Sequence, residues 1–372
     1  MSKKRFLITA LVLLVLSALV YLQVRTWKKF DWHRFWAATH NTHKFYLVAG
    51  VALVYADYFL RAVRWKILLR PVCPEAKSAD LVAPTMIGFT GLALLGRPGE
   101  FIRPYLISRK VNLSMSSQLA VWTVERIFDT GAFALIMAVN ILWSRDELRQ
   151  LPGFASAPTR SLFGHPITAF GLFEAFAIGL LAGVSFAALV AFRVRMNPSR
   201  AATFFARIFG MVSPKLGHAV GRKVHAFGEG LNTVKDFGSF LQLSGLSVLI
   251  WLIIGFAYMA VTHAYSIHRL SRMTLSSVFL LTAASVVGGV LQLPVVGGGS
   301  QLATIGMLRG VFNLSPELAT SCGIMLWLVT FMSVIPAGLA LAHFEHVSLT
   351  KVEEESLEEE LKAEREEDRE IG

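Results

Sequence analysis

The stretch FLQLSGLSVLIWLIIGFAYMAV, residues 240–261, runs for 22 residues without a single Asp, Glu, Lys or Arg. At 1.5 Å per residue a helix of that length measures about 33 Å, enough to cross a hydrocarbon core about 30 Å thick. The reading is a helix whose solvent is lipid. Similar apolar runs lie on both sides of it, at residues 6–22, 45–60, 119–143, 167–192 and 318–343. The whole chain agrees: of 372 residues 54% are hydrophobic and 16% charged, and the mean hydropathy is +0.54. A soluble domain carries about 25% charged residues. The fold class expected is all-α and polytopic, with about six full transmembrane helices.

Two further apolar stretches are interrupted. Residues 83–96 contain Pro84, Gly88 and Gly91 and run into Arg97-Pro98-Gly99-Glu100. Residues 274–296 contain Gly288, Gly289 and Pro294 and end in Gly297-Gly298-Gly299-Ser300-Gln301, followed by the apolar piece 302–312. Backbone freed by such residues survives at membrane depth only where protein or a wet cavity covers it. One broken segment in each half is the pattern of a binding site between repeats. Both are therefore read as re-entrant hairpins, with kinked full spans as the alternative.

Charge sets the orientation. Lys3-Lys4-Arg5 precede the first run, which is read as an uncleaved anchor with its N-terminus in the cytoplasm. Counting spans from there brings the hairpins in from opposite sides and both termini into the cytoplasm, in a plasma membrane of bacterial type. The basic segment 196–238, with Arg200, Arg207, Phe204, Phe205 and Phe209, reads as interfacial helices on the cytoplasmic face. The loop 23–44 carries five Lys/Arg against this topology, but Trp27, Trp32, Phe35 and Trp36 suit an interfacial helix. The membrane domain is placed at residues 1–345. Residues 346–372 are a solvated or disordered acidic tail; from Glu345 onward the charge is −8, leaving +19 on the other 344 residues. A basic membrane body fits anionic lipid as partner, and no basic patch sits on a nucleic-acid-binding module.

Charges at membrane depth are the candidate functional groups. Arg97, Glu100 and Arg103 surround the first break, and Glu125, Arg126 and Asp129 interrupt an apolar span. Each costs about 2.5–3.5 kcal/mol at a bilayer centre unless paired or hydrated. Glu125 and Asp129 share a helix face, and Arg126 lies three before Asp129, a spacing that allows pairing. Asp57 is expected to pair with Arg61 four residues on, and Arg64 lies on the same segment. Two readings stay open: an ion-pair network that staples hairpin to helix, or a polar cavity whose arginines hold an anionic headgroup. Gly297, Gly298, Gly299 and Gln301 of the second hairpin either present backbone N–H groups to an anion or permit close helix packing. No metal-ligand spacing, P-loop or hydrolase motif is present, and Cys73 and Cys322 stand alone. No cofactor is expected.

The segments RAVRWKILL (61–69), GRPGEFIRPYLISRK (96–110), VERIFD (124–129) and VVGGGSQLATIGML (295–308) resemble the lysylphosphatidylglycerol synthase transmembrane-domain family, also called flippase-like, over about residues 1–345. Relatives usually carry an acid near the position of Gln301 and a proline beside the glycines, so a carboxylate role there does not transfer. The resemblance implies a module that moves lipids or lipid-linked molecules between leaflets. In bifunctional relatives a soluble aminoacyl-transferase domain follows; the tail here is too short for one, so synthesis of the aminoacyl lipid is not expected. Three functions are weighed: a lipid flippase, a membrane enzyme using Glu125 or Asp129 as general base, and a non-catalytic lipid-binding partner of another membrane enzyme.

Overall fold

The computed structural model describes residues 30–156, 160–162, 165–211, 237–290 and 298–345, scattered positions within 213–224, Val347 and Glu355. The apolar run 6–22, residues 225–236, Pro294, Gly297 and nearly all of the acidic tail lie outside the described residues. Helices dominate. A short amphipathic helix α1 (Trp32–His40) leads into α2 (Lys44–Leu69), α3 (Ser78–Leu95), a 3-10 turn (Arg97–Phe101), α4 (Ile102–Val111) and α5 (Met115–Trp143). A two-stranded hairpin, β1 (Arg160–Leu162) with β2 (His165–Ile167), precedes α6 (Ala169–Met196) and α7 (Pro198–Gly210). Then come α8 (Phe237–His263), α9 (Leu275–Val290), α10 (Gly298–Gly310), α11 (Pro316–Trp327), a π-helical turn (Leu328–Met332) and α12 (Val334–Phe344).

Among the described residues five helices are long and apolar enough to cross a membrane: Lys44–Leu69, Ser78–Leu95, Ser117–Trp143, Gly238–His263 and Pro316–Phe344. The chain is an all-α, multi-pass membrane protein. The last of these spans is not one regular helix. Pro336 has no N–H for the carbonyl of Met332, and the π turn ends there. Carbonyls just beyond it are taken by other helices: Tyr55 Oη donates to Ser333 O (2.9 Å) and Thr90 Oγ1 to Val334 O (3.3 Å).

The expected breaks are helical hairpins, but their glycines are not the turns. Gly88 and Gly91 sit inside α3, and Gly288 and Gly289 inside α9. A Cβ at Gly88 would collide with the Cα and Cβ of Arg103, and one at Gly288 with Gly299 and Ala303. Missing side chains thus let the two arms of each hairpin touch. Gly96 (φ +75°) ends α3, and Gly298 (φ +63°) opens α10, both in the left-handed region that glycine tolerates.

These pieces form two like halves. Each is a long helix, a hairpin of two shorter helices and a second long helix: α2, α3/α4, α5 and α8, α9/α10, α11–α12. Both hairpins are followed by Asn-Leu-Ser, at 112–114 and 313–315. Asn112 (φ 53°) and Asn313 (φ 51°) are left-handed, and Ser114 and Ser315 cap the next helix by accepting from the N–H of Ser117 and Leu318. The first helices of the halves pack antiparallel: the His43 N–H donates to Ala264 O (2.7 Å), Arg64 meets Ser247, and Arg70 donates to Gln242 (3.0 Å). An antiparallel pairing of equivalent helices is an inverted repeat.

The ends sort into two sides. Arg70–Gln242 and Lys110–Glu345 lie on one, so the first hairpin starts and finishes there. The Gly153 N–H to Val311 O bond and the Arg269 bond to Asn313 O lie on the other, with both ends of the second hairpin. The helix α7 carries exposed Phe204, Ile208 and Phe209 beside Arg200 and Arg207, the composition of an interfacial helix. Cysteines placed at Ser156 and Ser271 should therefore react with an impermeant maleimide from one face of the membrane, and one at Ser199 from the other face only. Labelling of all three from one face sinks the arrangement.

Candidate functional site

Charges from α2, α4 and α5 meet in the first half. Asp57, Arg61 and Arg64 recur at four and then three residues on one face of α2, and all are buried. Arg64 is wholly enclosed. Its Nη1 donates to Asp129 Oδ1 (2.5 Å) and Ser247 Oγ (2.9 Å), and its Nη2 to Glu125 Oε1 (2.6 Å). Arg61 donates to Asp57 (2.9 Å) and Asp129 (3.5 Å). Arg103, from α4, donates to both oxygens of Glu125, so this buried carboxylate ties α2 and α4 to α5. Aromatic faces close the web: the Arg103 guanidinium lies 4.3 Å from the Trp65 ring and 5.2 Å from Phe89. Trp65 Nε1 in turn donates to Gln118 (3.0 Å).

The structure brings together Asp57, Arg61, Arg64, Arg103, Glu125 and Asp129. It corrects the expected Arg126–Asp129 pair. Asp129 faces α2, where Arg61 and Arg64 take it; Arg126 points the other way along α5, over the Trp122 ring at 5.4 Å. No carboxylate lies within 4 Å of Arg126 among the described residues, and its buried Nε has no acceptor. Trp122 Nε1, one turn earlier, is also buried without an acceptor. Arg126 lines a small, open cleft with Gly88, Phe89, Leu92, Glu100 and Arg103. An N–H buried without a partner costs about 1–3 kcal/mol, a cost that an acceptor beside Arg126 would remove.

Arg97 opens the 3-10 turn beside the cleft; its side chain lies outside the described residues. In the second hairpin Gly299 packs backbone to backbone with Gly288, which is the close-packing role weighed for the glycine run. Gln301 is half-buried in the first turn of α10. The sequence reading passed over Ser247, Trp122 and Trp65, which the web uses. It also passed over a cluster of hydroxyl groups in the second half, Tyr258, Ser285 and Ser300. The signal available for it was the repeated Asn-Leu-Ser, which aligns the halves. The acidic tail also makes a contact that was not anticipated, Tyr105 Oη donating to Glu355 (2.5 Å), and just before the tail Lys110 donates to Glu345 (3.0 Å).

The family model for the transmembrane region of lysylphosphatidylglycerol synthase matches residues 6–338. The chain belongs to that family. The resemblance carried by the three charged segments and the glycine run is thereby confirmed, and the protein is a multi-pass, lipid-related membrane protein. A stretch of 98 residues is 31% identical to a protein named glycosyltransferase AglD from Haloferax volcanii, covering 26% of this chain and 16% of that protein. No solved structure matches.

Proposed function

We propose that this lysylphosphatidylglycerol synthase-family membrane domain is a lipid transporter of the flippase type rather than an enzyme. It holds an anionic headgroup in the cleft beside the first hairpin and passes it between leaflets. The observation that carries the reading is Arg126, a partly buried guanidinium with no carboxylate partner among the described residues, in a cleft that Arg103 also lines. A guanidinium suits a phosphate, which accepts in the bidentate geometry it presents, and Arg103 adds positive charge to the same lining. Glu100 gives the same cleft an acceptor for a headgroup hydroxyl or ammonium. Membrane lipids are the partners this reading needs.

The test is translocation of fluorescent phosphatidylglycerol in proteoliposomes, with phosphatidylcholine as the uncharged control. Arg126→Ala should slow the anionic lipid at least tenfold and leave the folded protein intact, because among the described residues no carboxylate forms an ion pair with Arg126 and Glu125 keeps Arg64 and Arg103. Arg126→Lys should recover little of the loss, since an ammonium cannot present two parallel donors. Wild-type rates in Arg126→Ala sink the reading, as does chemical modification of the added lipid.

A further inference from the structure

The chain that leaves α12 turns back onto the first hairpin. The Val347 N–H donates to Ala342 O (2.8 Å), the kind of bond that closes a helix C-terminus and turns the chain aside. Val347 then packs against a cluster that includes Ile87 of α3 and Ile102 and Tyr105 of α4. Further on, Glu355 accepts from Tyr105 Oη (2.5 Å), and that oxygen in turn accepts from Arg109 Nη2 (2.9 Å). The same Nη2 lies 3.7 Å from the Glu355 carboxylate, and Lys110 Nζ donates to Glu345 (3.0 Å). Arg109 and Lys110 are the basic residues of the last turn of α4, so each has a carboxylate from the end of α12 or the tail against it. None of these side chains belongs to the ionic web or lines the cleft.

These contacts are open enough to be reversible. The side chains of Arg109 and Glu355 are 66% and 38% exposed, and those of Lys110 and Glu345 37% and 39%. An ion pair so exposed is screened by salt, and its worth is of the same order as the attraction of one Lys or Arg to an anionic membrane surface. The two are therefore matched competitors for the same bases. Position brings the competitor within reach, because the first hairpin starts and finishes on this side, and bases at a helix end lie at the level of the headgroups. Residues 351–370 hold eleven Asp or Glu against four Lys or Arg, so an anionic surface repels the tail while it attracts Arg109 and Lys110. In a neutral bilayer nothing opposes the tail, and its tether keeps it at high local concentration.

We propose that the acidic tail is a brake that anionic lipid releases. Glu355 and Glu345 occupy Arg109 and Lys110 in place of the anionic headgroups of the adjoining leaflet, and a leaflet rich in such lipid displaces the tail and frees the end of the first hairpin. While docked, the tail ties α4 to α12 and covers two bases that draw headgroups toward the cleft, whose Arg103 lies in the first turn of the same helix. The effect on transport rests on the transporter reading above; the exchange of tail for lipid does not.

Trypsin cleavage after Lys351, which lies between the two docked glutamates, reads the contact in nanodiscs. Adding phosphatidylglycerol to phosphatidylcholine discs should speed that cut at least threefold in wild type. Glu345→Lys with Glu355→Lys sets bases against Arg109 and Lys110; this protein should be cut fast in phosphatidylcholine alone and gain nothing from the anionic lipid. Tyr105→Phe removes only the hydroxyl that bonds Glu355 and should shift the rate the same way, which keeps the test open if the reversed protein does not fold. A wild-type rate that phosphatidylglycerol leaves unchanged overturns the proposal, as does a reversed protein that responds to it like wild type. The second measurement is translocation of trace fluorescent phosphatidylglycerol in phosphatidylcholine proteoliposomes. The double reversal should raise the rate at least threefold, and high salt should raise wild type to match. Reversal at wild-type speed, with Arg126→Ala still slow, overturns the brake and leaves the transporter reading standing. If Arg126→Ala is silent as well, it is the transporter reading that has failed, and the brake falls with it.

Discussion

Glu125→Gln should be the most destabilising single polar substitution in the first half. The carboxylate is fully buried, and three N–H groups from two helices converge on it: one from Arg64 and two from Arg103. An amide keeps the shape but loses the charge, and its NH2 group points a donor at an arginine. Removing one partner of a buried ion pair costs about 3–5 kcal/mol, mostly because the remaining charge stays buried. Arg64 retains Asp129, whereas Arg103 has no other carboxylate in the described residues. Thermal unfolding in detergent should show a much lower midpoint for Glu125→Gln than for Asp57→Asn, because Arg61 keeps Asp129 when Asp57 is lost. Arg126→Ala should leave the midpoint near wild type. Equal midpoints for Glu125→Gln and Arg126→Ala would remove the division between stapling charges and a ligand charge.

That division answers a question the sequence left open. Spacing alone put six charges near the first break and the following span, and allowed either a staple or a cavity. The structure shows the staple in Asp57, Arg61, Arg64, Arg103, Glu125 and Asp129, and it leaves Arg126 outside that network, beside a cleft. Asp57–Arg61 was legible because the partners are four apart on one helix. The Arg64–Glu125 and Arg64–Asp129 pairs were not, because they join residues 61 and 65 positions apart and depend on which faces of α2 and α5 meet. Helical spacing offered Arg126 to Asp129, and tertiary packing gave Asp129 to other arginines. A local pair on a helix is worth only a few tenths of a kcal/mol, so it yields readily to a buried tertiary partner.

The membrane spans were legible for a simpler reason: lipid imposes length and apolarity on every crossing helix. The hairpins were legible in position but not in cause. Glycines at 88, 91, 288 and 289 were taken as breaks, since helix propensity alone disfavours them. They are helical because burial of one arm against the other outweighs that preference. The repeat itself was visible in two copies of Asn-Leu-Ser. It gains meaning only with the φ values and serine caps that show both copies making the same corner.

Gly88→Ala should separate the arms of the first hairpin and so disable the cleft from beneath. In an ordinary helix this change is favourable by about 0.5–1 kcal/mol, because alanine loses less backbone entropy on folding. Gly131 of α5 provides that baseline: nothing lies within 4 Å of a Cβ built there, so Gly131→Ala should be neutral or slightly stabilising. At Gly88 the added carbon would meet the Cα, Cβ and backbone nitrogen of Arg103. Backbone cannot rotate away as a side-chain tip can, so α4 itself must move. Overpacking of this kind costs about 1–3 kcal/mol, more than the entropic gain. The displaced residue is the one whose guanidinium joins Glu125 to the cleft, so function should fall further than stability. Phosphatidylglycerol translocation should drop at least tenfold in Gly88→Ala, with an unfolding midpoint lowered by only a few degrees and Gly131→Ala unchanged in both. A Gly88→Ala protein that transports at the wild-type rate would show that the close contact of the arms does not set the geometry of the arginine cleft.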